Sequence, residues 1–176
     1  MSNPTAPGTT IPDTIMGEIP WSPELDSGKT CGVPLTFKTH AEWKGKKIVV
    51  VSIPGAYTPI CHQQHIPPLV SRADELKAKG VDAIYVIASN DAFVMSAWGV
   101  FNNAKDKVHF VTDIDLAFSK ALNATIDLSF KHMGERTARY ALIVDDLKVV
   151  DFGSDEGDTG KLQNASVDTI LSKLSK

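Results

Sequence analysis

Two cysteines, Cys31 and Cys61, and the polar residues around the second are the side chains whose chemistry goes beyond packing. Cys61 ends the string Pro54-Gly55-Ala56-Tyr57-Thr58-Pro59-Ile60-Cys61, which follows a β-branched run and precedes an apolar pattern of helical period. That order puts a thiol in the first turn of a helix, just past the carboxyl end of a buried strand, where α/β folds collect their chemistry. The positive end of the helix dipole and the unbonded N–H groups of the first turn both favour thiolate over thiol, and the thiolate is the nucleophile. A buried cysteine serves equally well as a small apolar filler, and position alone does not decide between the two. No Lys or Arg precedes Lys29 and no apolar run of signal-peptide length opens the chain, so an intracellular protein is expected. In a reducing compartment a cysteine pair is catalytic or redox-sensing rather than a permanent bridge. His62 and His65 follow Cys61, but zinc needs at least three protein ligands and nothing nearby completes the set, so no metal is expected. His65 is read instead as a packing and hydrogen-bonding residue that supports the loop.

Several elements must hold these residues in place. Residues 47–53 form a β-branched run closed by Pro54-Gly55, the pattern of a strand buried on both faces. Past Thr58-Pro59, the apolar positions Ile66, Leu69, Val70 and Leu76 predict a helix to Lys79, stopped by Gly80 and bent near its start by Pro67 and Pro68. A second buried strand over 81–88 leads through Ser89-Asn90-Asp91, good N-cap chemistry, into a helix containing Phe93, Val94, Ala97, Trp98 and Phe101. The three aromatic residues of that helix are read as sharing one face, chiefly core. A strand over 109–112, a helix over 116–122, a hairpin of 139–144 with 149–152 around Asp145-Asp146, and a helix over 161–174 complete the pattern. Residues 1–27, rich in Pro, Thr and Gly, predict an irregular or short-stranded segment draped over the core. With no internal repeat and no linker, the expectation is one three-layer α/β domain over 1–176 with a central mixed sheet.

Pro54, Thr58 and Cys61 match the peroxiredoxin signature Pro-x-x-x-Thr-x-x-Cys. The longer string, continued by His65 and Pro67, resembles the type II (peroxiredoxin-5-like) subfamily. So do the segments Asn90-Asp91-Ala92-Phe93-Val94-Met95-Ser96-Ala97-Trp98 and Arg139-Tyr140-Ala141-Leu142. The matches run in order from about Ile19 to Val144, over most of the chain. Two positions depart from the pattern: Tyr57, where Phe is commoner, and His62, where a small residue is usual.

The resemblance implies the peroxiredoxin variant of the thioredoxin fold and a thiol peroxidase of antioxidant defence, acting on hydrogen peroxide and alkyl hydroperoxides without metal or flavin. Cys61 would attack one peroxide oxygen and leave as sulfenic acid. Thr58 would offer its hydroxyl to peroxide or thiolate, Arg139 would supply a fixed cation for charge on sulfur and the leaving oxygen, and Pro54 would shield the site from water. An arginine more often makes a surface ion pair, and that role is assigned to Arg136. Cys31, in an arrangement that resembles fungal and yeast members, would be the resolving cysteine, supplied by the partner subunit of a homodimer. Thioredoxin, glutaredoxin or glutathione would be the reductant. A thiol–disulfide oxidoreductase is disfavoured because no second cysteine lies two or three residues from Cys61. A peroxide sensor or redox-dependent holdase using the same cysteine stays open.

Composition narrows the partners. The chain has 176 residues, 43% hydrophobic and 22% charged, enough to bury about two thirds of its unfolded surface without disulfide or metal staples. A net charge of -3, from 18 basic and 21 acidic side chains, leaves no electrostatic footprint for nucleic acid or an anionic membrane. The longest apolar stretch, 48–57, is about half of what a bilayer span requires. Asp151-Phe152-Gly153 lacks every companion motif of a kinase. The sequons at Asn123 and Asn164 are idle without secretion. Asp155, Glu156 and Asp158 read as a solvated acidic loop without calcium-loop spacing. Ser172-Lys173-Leu174 is a peroxisomal tripeptide, but the chain runs on to Ser175-Lys176, so the cytosol is expected over the peroxisome or mitochondrion.

Overall fold

The structure, a computed structural model, describes residues 3–155 and 161–174. Glu156, Asp158 and the Ser175-Lys176 tail lie outside the described residues. A seven-stranded mixed sheet in the order β2-β1-β5-β4-β3-β8-β9 forms the middle layer. Its centre is β3 (Lys47–Ser52), parallel to β4 (Ala83–Ala88), which in turn runs parallel to β5 (His109–Thr112). On the other side of β3, β8 (Tyr140–Asp145) and β9 (Lys148–Ser154) add antiparallel, around the predicted turn at Asp146.

The alternation of side chains along β3 divides the core in two. Val49, Val51 and Ile53 point to one face, with Leu69, Leu76, Met95, Trp98 and Ile170 from α2 (Ile66–Ser71), α3 (Ala73–Ala78), α4 (Ala92–Phe101) and α6 (Val167–Leu174). Ile48 and Val50 point to the other, with Trp43 from α1 (Thr39–Trp43), Phe118 from α5 (Ala117–Ala121) and Tyr85, Tyr140 and Leu142 from the sheet. Both faces of β3 are therefore covered, which is why its sequence is an unbroken apolar run. This is the three-layer α/β arrangement expected.

Two departures from expectation have physical causes, while residues 1–27, expected as irregular or short-stranded, hold one short strand: β1 (Ile15–Glu18) pairs antiparallel with β5 and with β2 (Leu35–Lys38), extending the sheet. Gly17 makes the close approach possible, since a Cβ there would lie 2.9 Å from the Thr112 methyl. A separate hairpin of β6 (Thr125–Asp127) and β7 (Glu135–Thr137) escaped the sequence reading, because strands of three residues are too short to show a period of two. Finally, of the three aromatic residues on α4 only Trp98 is core; Phe93 is 51% and Phe101 63% exposed. Five residues of α-helix turn the chain by about 140° beyond a full turn, so Phe93 cannot share the face of Trp98.

The helix α4 starts as its sequence asks. Asp91 is extended, and its Oδ1 accepts from the N–H groups of Phe93 and Val94 at 2.9 and 3.0 Å. Asp91→Ala should lower the unfolding free energy by about 1 kcal/mol in urea titrations, with the cooperativity of the transition kept.

Candidate active site

The loop after β3 folds against its neighbours at several points. Ala56 N–H donates to Asn90 Oδ1 at 2.9 Å, and a Cβ on Gly55 would lie 3.2 Å from the Thr58 methyl. Tyr57 adopts a left-handed backbone (φ 60°) and presents its ring outward. A helix then begins at residue 59 and opens at once into a π-helical turn over Cys61–His65, closed by Ile66 N–H donating to the Cys61 carbonyl. Pro67 and Pro68 explain the turn: without N–H groups, and with rings that crowd the preceding carbonyls, they cannot continue an α-helical ladder through this stretch. The bend read from the sequence takes this form, and a further break follows at Arg72, between α2 and α3.

Cys61 lies in the first turn and is fully buried. Across the sheet register, Ser52 is opposite Tyr140, which brings Arg139 beside the end of β3. Two hydroxyls fasten this junction: Thr137 Oγ1 donates to the Ile53 carbonyl at 2.6 Å and Ser52 Oγ to the Ala138 carbonyl at 2.8 Å. The result is a guanidinium only 4% exposed, with Nη1 3.4 Å from Cys61 Sγ and 2.9 Å from His65 Nδ1. Arg139 is thus not a surface ion pair. Arg136, to which that role was assigned, is half-buried and donates from Nε to the Met133 carbonyl at 2.7 Å. Thr58 Oγ1 also differs from expectation: its proton goes to the Gly55 carbonyl at 2.8 Å, which leaves the oxygen lone pairs free of that bond.

His65 belongs to this cluster, one helical step of four residues after Cys61, a spacing that could have signalled it. Its Nε2 lies 2.8 Å from the Ala165 carbonyl, which can only accept; Nε2 therefore carries the proton, and Nδ1 accepts from Arg139. His62 has a different partner, accepting from Trp98 Nε1 at 2.9 Å while Tyr57 and Phe101 lie against its ring. Among the described residues no group of three His, Cys, Asp or Glu side chains is placed to hold a metal.

A cleft of about 270 Å³ opens over this cluster. Pro54, Thr58 and Arg139 line it together with Ile60, and the opposite wall is Leu128, Lys131 and Met133 from the β6–β7 connection. Nothing in the sequence marked that wall. Cys31 is exposed and is not bonded to Cys61. It borders a shallow groove of about 160 Å³ whose other side is Phe93, Ala97 and Val100 of α4.

Burial, and after it the Arg139 cation, push His65 down to about 4 from an ordinary value of 6.5; the Ala165 carbonyl and Asp155 oppose this more weakly. A histidine kept neutral by the fold contributes stability that is fully present above its unfolded value and is lost as the pH falls toward the folded one. His65→Gln can keep both hydrogen bonds and binds no proton. Between pH 7 and pH 4 the wild type should therefore lose about 3 kcal/mol more stability than His65→Gln in paired urea titrations.

The profile of the redoxin family matches residues 6–171. A Malassezia furfur protein bearing a peroxiredoxin name is 81% identical over 170 residues, covering 97% of this chain and 96% of that one. Peroxiredoxin-2B of Arabidopsis thaliana is 38% identical over 97% of this chain and 99% of that one. Among solved structures, reduced Prx3 from Vibrio vulnificus in complex with hydrogen peroxide superposes with a TM-score of 0.83 at 34% identity, over 96% of this chain and 98% of that one. Peroxiredoxin 5 from Alvinella pompejana gives 0.78 at 28% identity, over 97% of both chains. A buried cysteine at a helix start, an arginine across the sheet from it and these likenesses along nearly the whole chain converge: the chain belongs to the redoxin family and is a peroxiredoxin, a thiol peroxidase.

Proposed function

We propose that Cys61 is the peroxidatic cysteine of a peroxidase that reduces hydrogen peroxide and alkyl hydroperoxides in a reducing cytosol. The observation that carries this reading is the Arg139 guanidinium, buried and 3.4 Å from Cys61 Sγ. A cation fixed in a water-poor site stabilises negative charge on sulfur before the reaction and on the departing oxygen during it. The Cys61 thiolate attacks the terminal oxygen of the hydroperoxide. An S–O bond forms as the O–O bond breaks, sulfur loses two electrons, and the alkoxide or hydroxide leaves and takes up a proton as alcohol or water. Thr58 Oγ1 accepts a hydrogen bond from the hydroperoxide O–H, whose proton stays on the oxygen transferred to sulfur, and buried Pro54 keeps bulk water from the reacting atoms. The resulting sulfenic acid is the first, reversible rung of cysteine oxidation.

In the second half-reaction Cys31 of the partner subunit attacks the Cys61 sulfenic acid, giving a disulfide and water. Two observations support an intermolecular step: Cys31 is exposed while Cys61 is buried. Exposed aromatic side chains, Phe93 beside the Cys31 groove and Tyr57 and Phe101 against His62, offer apolar surface for a second copy of the chain. A dithiol or thiol reductant, thioredoxin, glutaredoxin or glutathione, then returns both cysteines to thiols.

Steady-state peroxide consumption with each reductant tests the assignment. Cys61→Ser should abolish turnover, and full activity in that variant would refute it. Arg139→Gln should lower kcat/KM by about 10² or more. Peroxide-treated wild type should run as a disulfide-linked dimer on non-reducing gels and Cys31→Ser as a monomer; dimers surviving in Cys31→Ser would exclude Cys31 as the resolving residue.

A further inference from the structure

A second cleft, of about 420 Å³, shares no residue with the one over Arg139. It opens where β1 leaves the sheet. β1 pairs with β5 only through Gly17 with Thr112 and Glu18 with Val111. Continued by two residues, that register would set Pro20 opposite His109, and Pro20 has no N–H to donate to a ladder. The chain turns away instead: Ile19 and Leu25 pack with Ala92 and against Val100 of α4, and a gap is left beside the first residues of β5. Tyr85 from one half of the core and Phe110 from the other both line this gap.

The lining is aromatic and acidic. The Tyr85 ring stacks on the His109 imidazole with centroids 4.7 Å apart, and the Phe37 ring lies 6.0 Å from that of Tyr85. Trp21 also lines the cleft, its indole fixed by Nε1 donating to Asp26 Oδ1 at 2.8 Å. Besides His109, the titratable lining side chains that carry charge at neutral pH are Glu18, Glu42, Asp106 and Lys105, three carboxylates against one lysine. Glu42 is matched by Lys46 at 2.7 Å, and Lys105 and Asp106 are exposed. Glu18 is different. Its side chain is only 15% exposed, its Oε1 lies 2.8 Å from His109 Nδ1, and its other carboxylate oxygen makes no hydrogen bond or ion pair among the described residues. Burial, then the charge on Glu42 and more weakly that on Glu18, raises the Tyr85 phenol above its ordinary value, so both carboxylates are felt inside the cleft.

A carboxylate largely withdrawn from water and answered on one oxygen only is best satisfied by a cation. Aromatic ring faces attract the same charge, and a concave apolar lining with a few polar groups is the ordinary form of a small-molecule site. We infer that this cleft binds a small organic cation, an amine carried on an aromatic or apolar body: the ammonium group pairs with Glu18, and the body lies against the rings that continue from His109 through Tyr85 to Phe37. Three carboxylates disfavour an anion in the same place, and a neutral molecule leaves Glu18 as it is. The inference concerns a site apart from Cys61 and stands whether or not the peroxidase reading does.

The test titrates the full-length reduced protein at neutral pH and low ionic strength with 2-phenylethylamine and, separately, with 2-phenylethanol, which has the same ring and chain without the charge. The amine should bind with a dissociation constant of about 1 mM or tighter, and the alcohol roughly fivefold or more weakly. Glu18→Gln, which can still accept from His109, should bring the two ligands within about twofold of each other, whereas Glu24→Gln, on the same segment but outside the cleft, should leave the preference unchanged. Because the preference is a ratio within one protein, partial loss of folded material does not move it. Two-dimensional NMR places the ligand: the indole N–H signal of Trp21, assigned by its loss in Trp21→Phe, should shift with the amine and that of Trp98, beside His62, should not. Equal binding of amine and alcohol by the wild type, no binding of either, a preference kept in Glu18→Gln, or a shift at Trp98 with Trp21 unmoved would each overturn the inference.

Discussion

A guanidinium removed from water must be answered by its surroundings, and the site depends on how this fold answers Arg139. Desolvating an arginine costs several kcal/mol unless hydrogen bonds and opposing charge compensate. Here Nη1 of the guanidinium meets Cys61 sulfur and the neutral His65 ring, and His65 is in turn held by the Ala165 carbonyl. Burial, and after it the Arg139 cation, keeps His65 without a proton. The same buried contact sets the Cys61 sulfur beside a fixed cation, so the geometry that holds the fold together is also the geometry the proposed chemistry uses.

Much of the surrounding architecture serves to bring two distant pieces of chain to that contact. Cys61 and His65 come from the helix that follows β3, Arg139 from the residue before β8, and Ala165 from just before α6. The antiparallel register of β3 with β8 sets Arg139 at the height of the loop, and the Thr137 and Ser52 hydroxyls fix the junction. The π-helical turn enforced by Pro67 and Pro68 carries Cys61 and His65 into the same buried space. The small β6–β7 hairpin then closes the cleft from the far side, so a short, charged and poorly patterned segment supplies the wall against which a substrate would lie.

What could be read from the sequence follows the strength of local signals. Residues 47–53 and 81–88 announced themselves as buried strands because both of their faces are covered, and Asp91 announced a helix because its side chain caps one. Pro54, Thr58, Cys61 and Arg139 were legible through a family pattern; Pro54, Thr58 and Arg139 line one cleft, and Cys61 is buried against Arg139. His65 was placed as a supporting residue, but its contact with Arg139 depends on a strand register that no local pattern encodes. Leu128, Lys131 and Met133 were invisible for a similar reason: three-residue strands show no period, and a loop becomes a pocket wall only through tertiary folding. Phe93 and Phe101 were misread as core because a helix of ten residues with apolar side chains around much of its circumference gives little indication of which face is buried. The proton of Thr58, expected to be available to substrate, is held by the Gly55 carbonyl, a turn-level detail below the resolution of motif reading.

If the buried Arg139 contact makes Cys61 the reacting thiol, the most direct measurement is the site of first oxidation. The fully reduced protein, mixed with one equivalent of hydroperoxide in the presence of a sulfenic-acid trap and analysed by peptide mass spectrometry, should carry the trap on the peptide containing Cys61 and not on that containing exposed Cys31. Labelling of Cys31 with Cys61 left as free thiol would contradict the central claim, since exposure rather than the Arg139 environment would then decide which sulfur reacts.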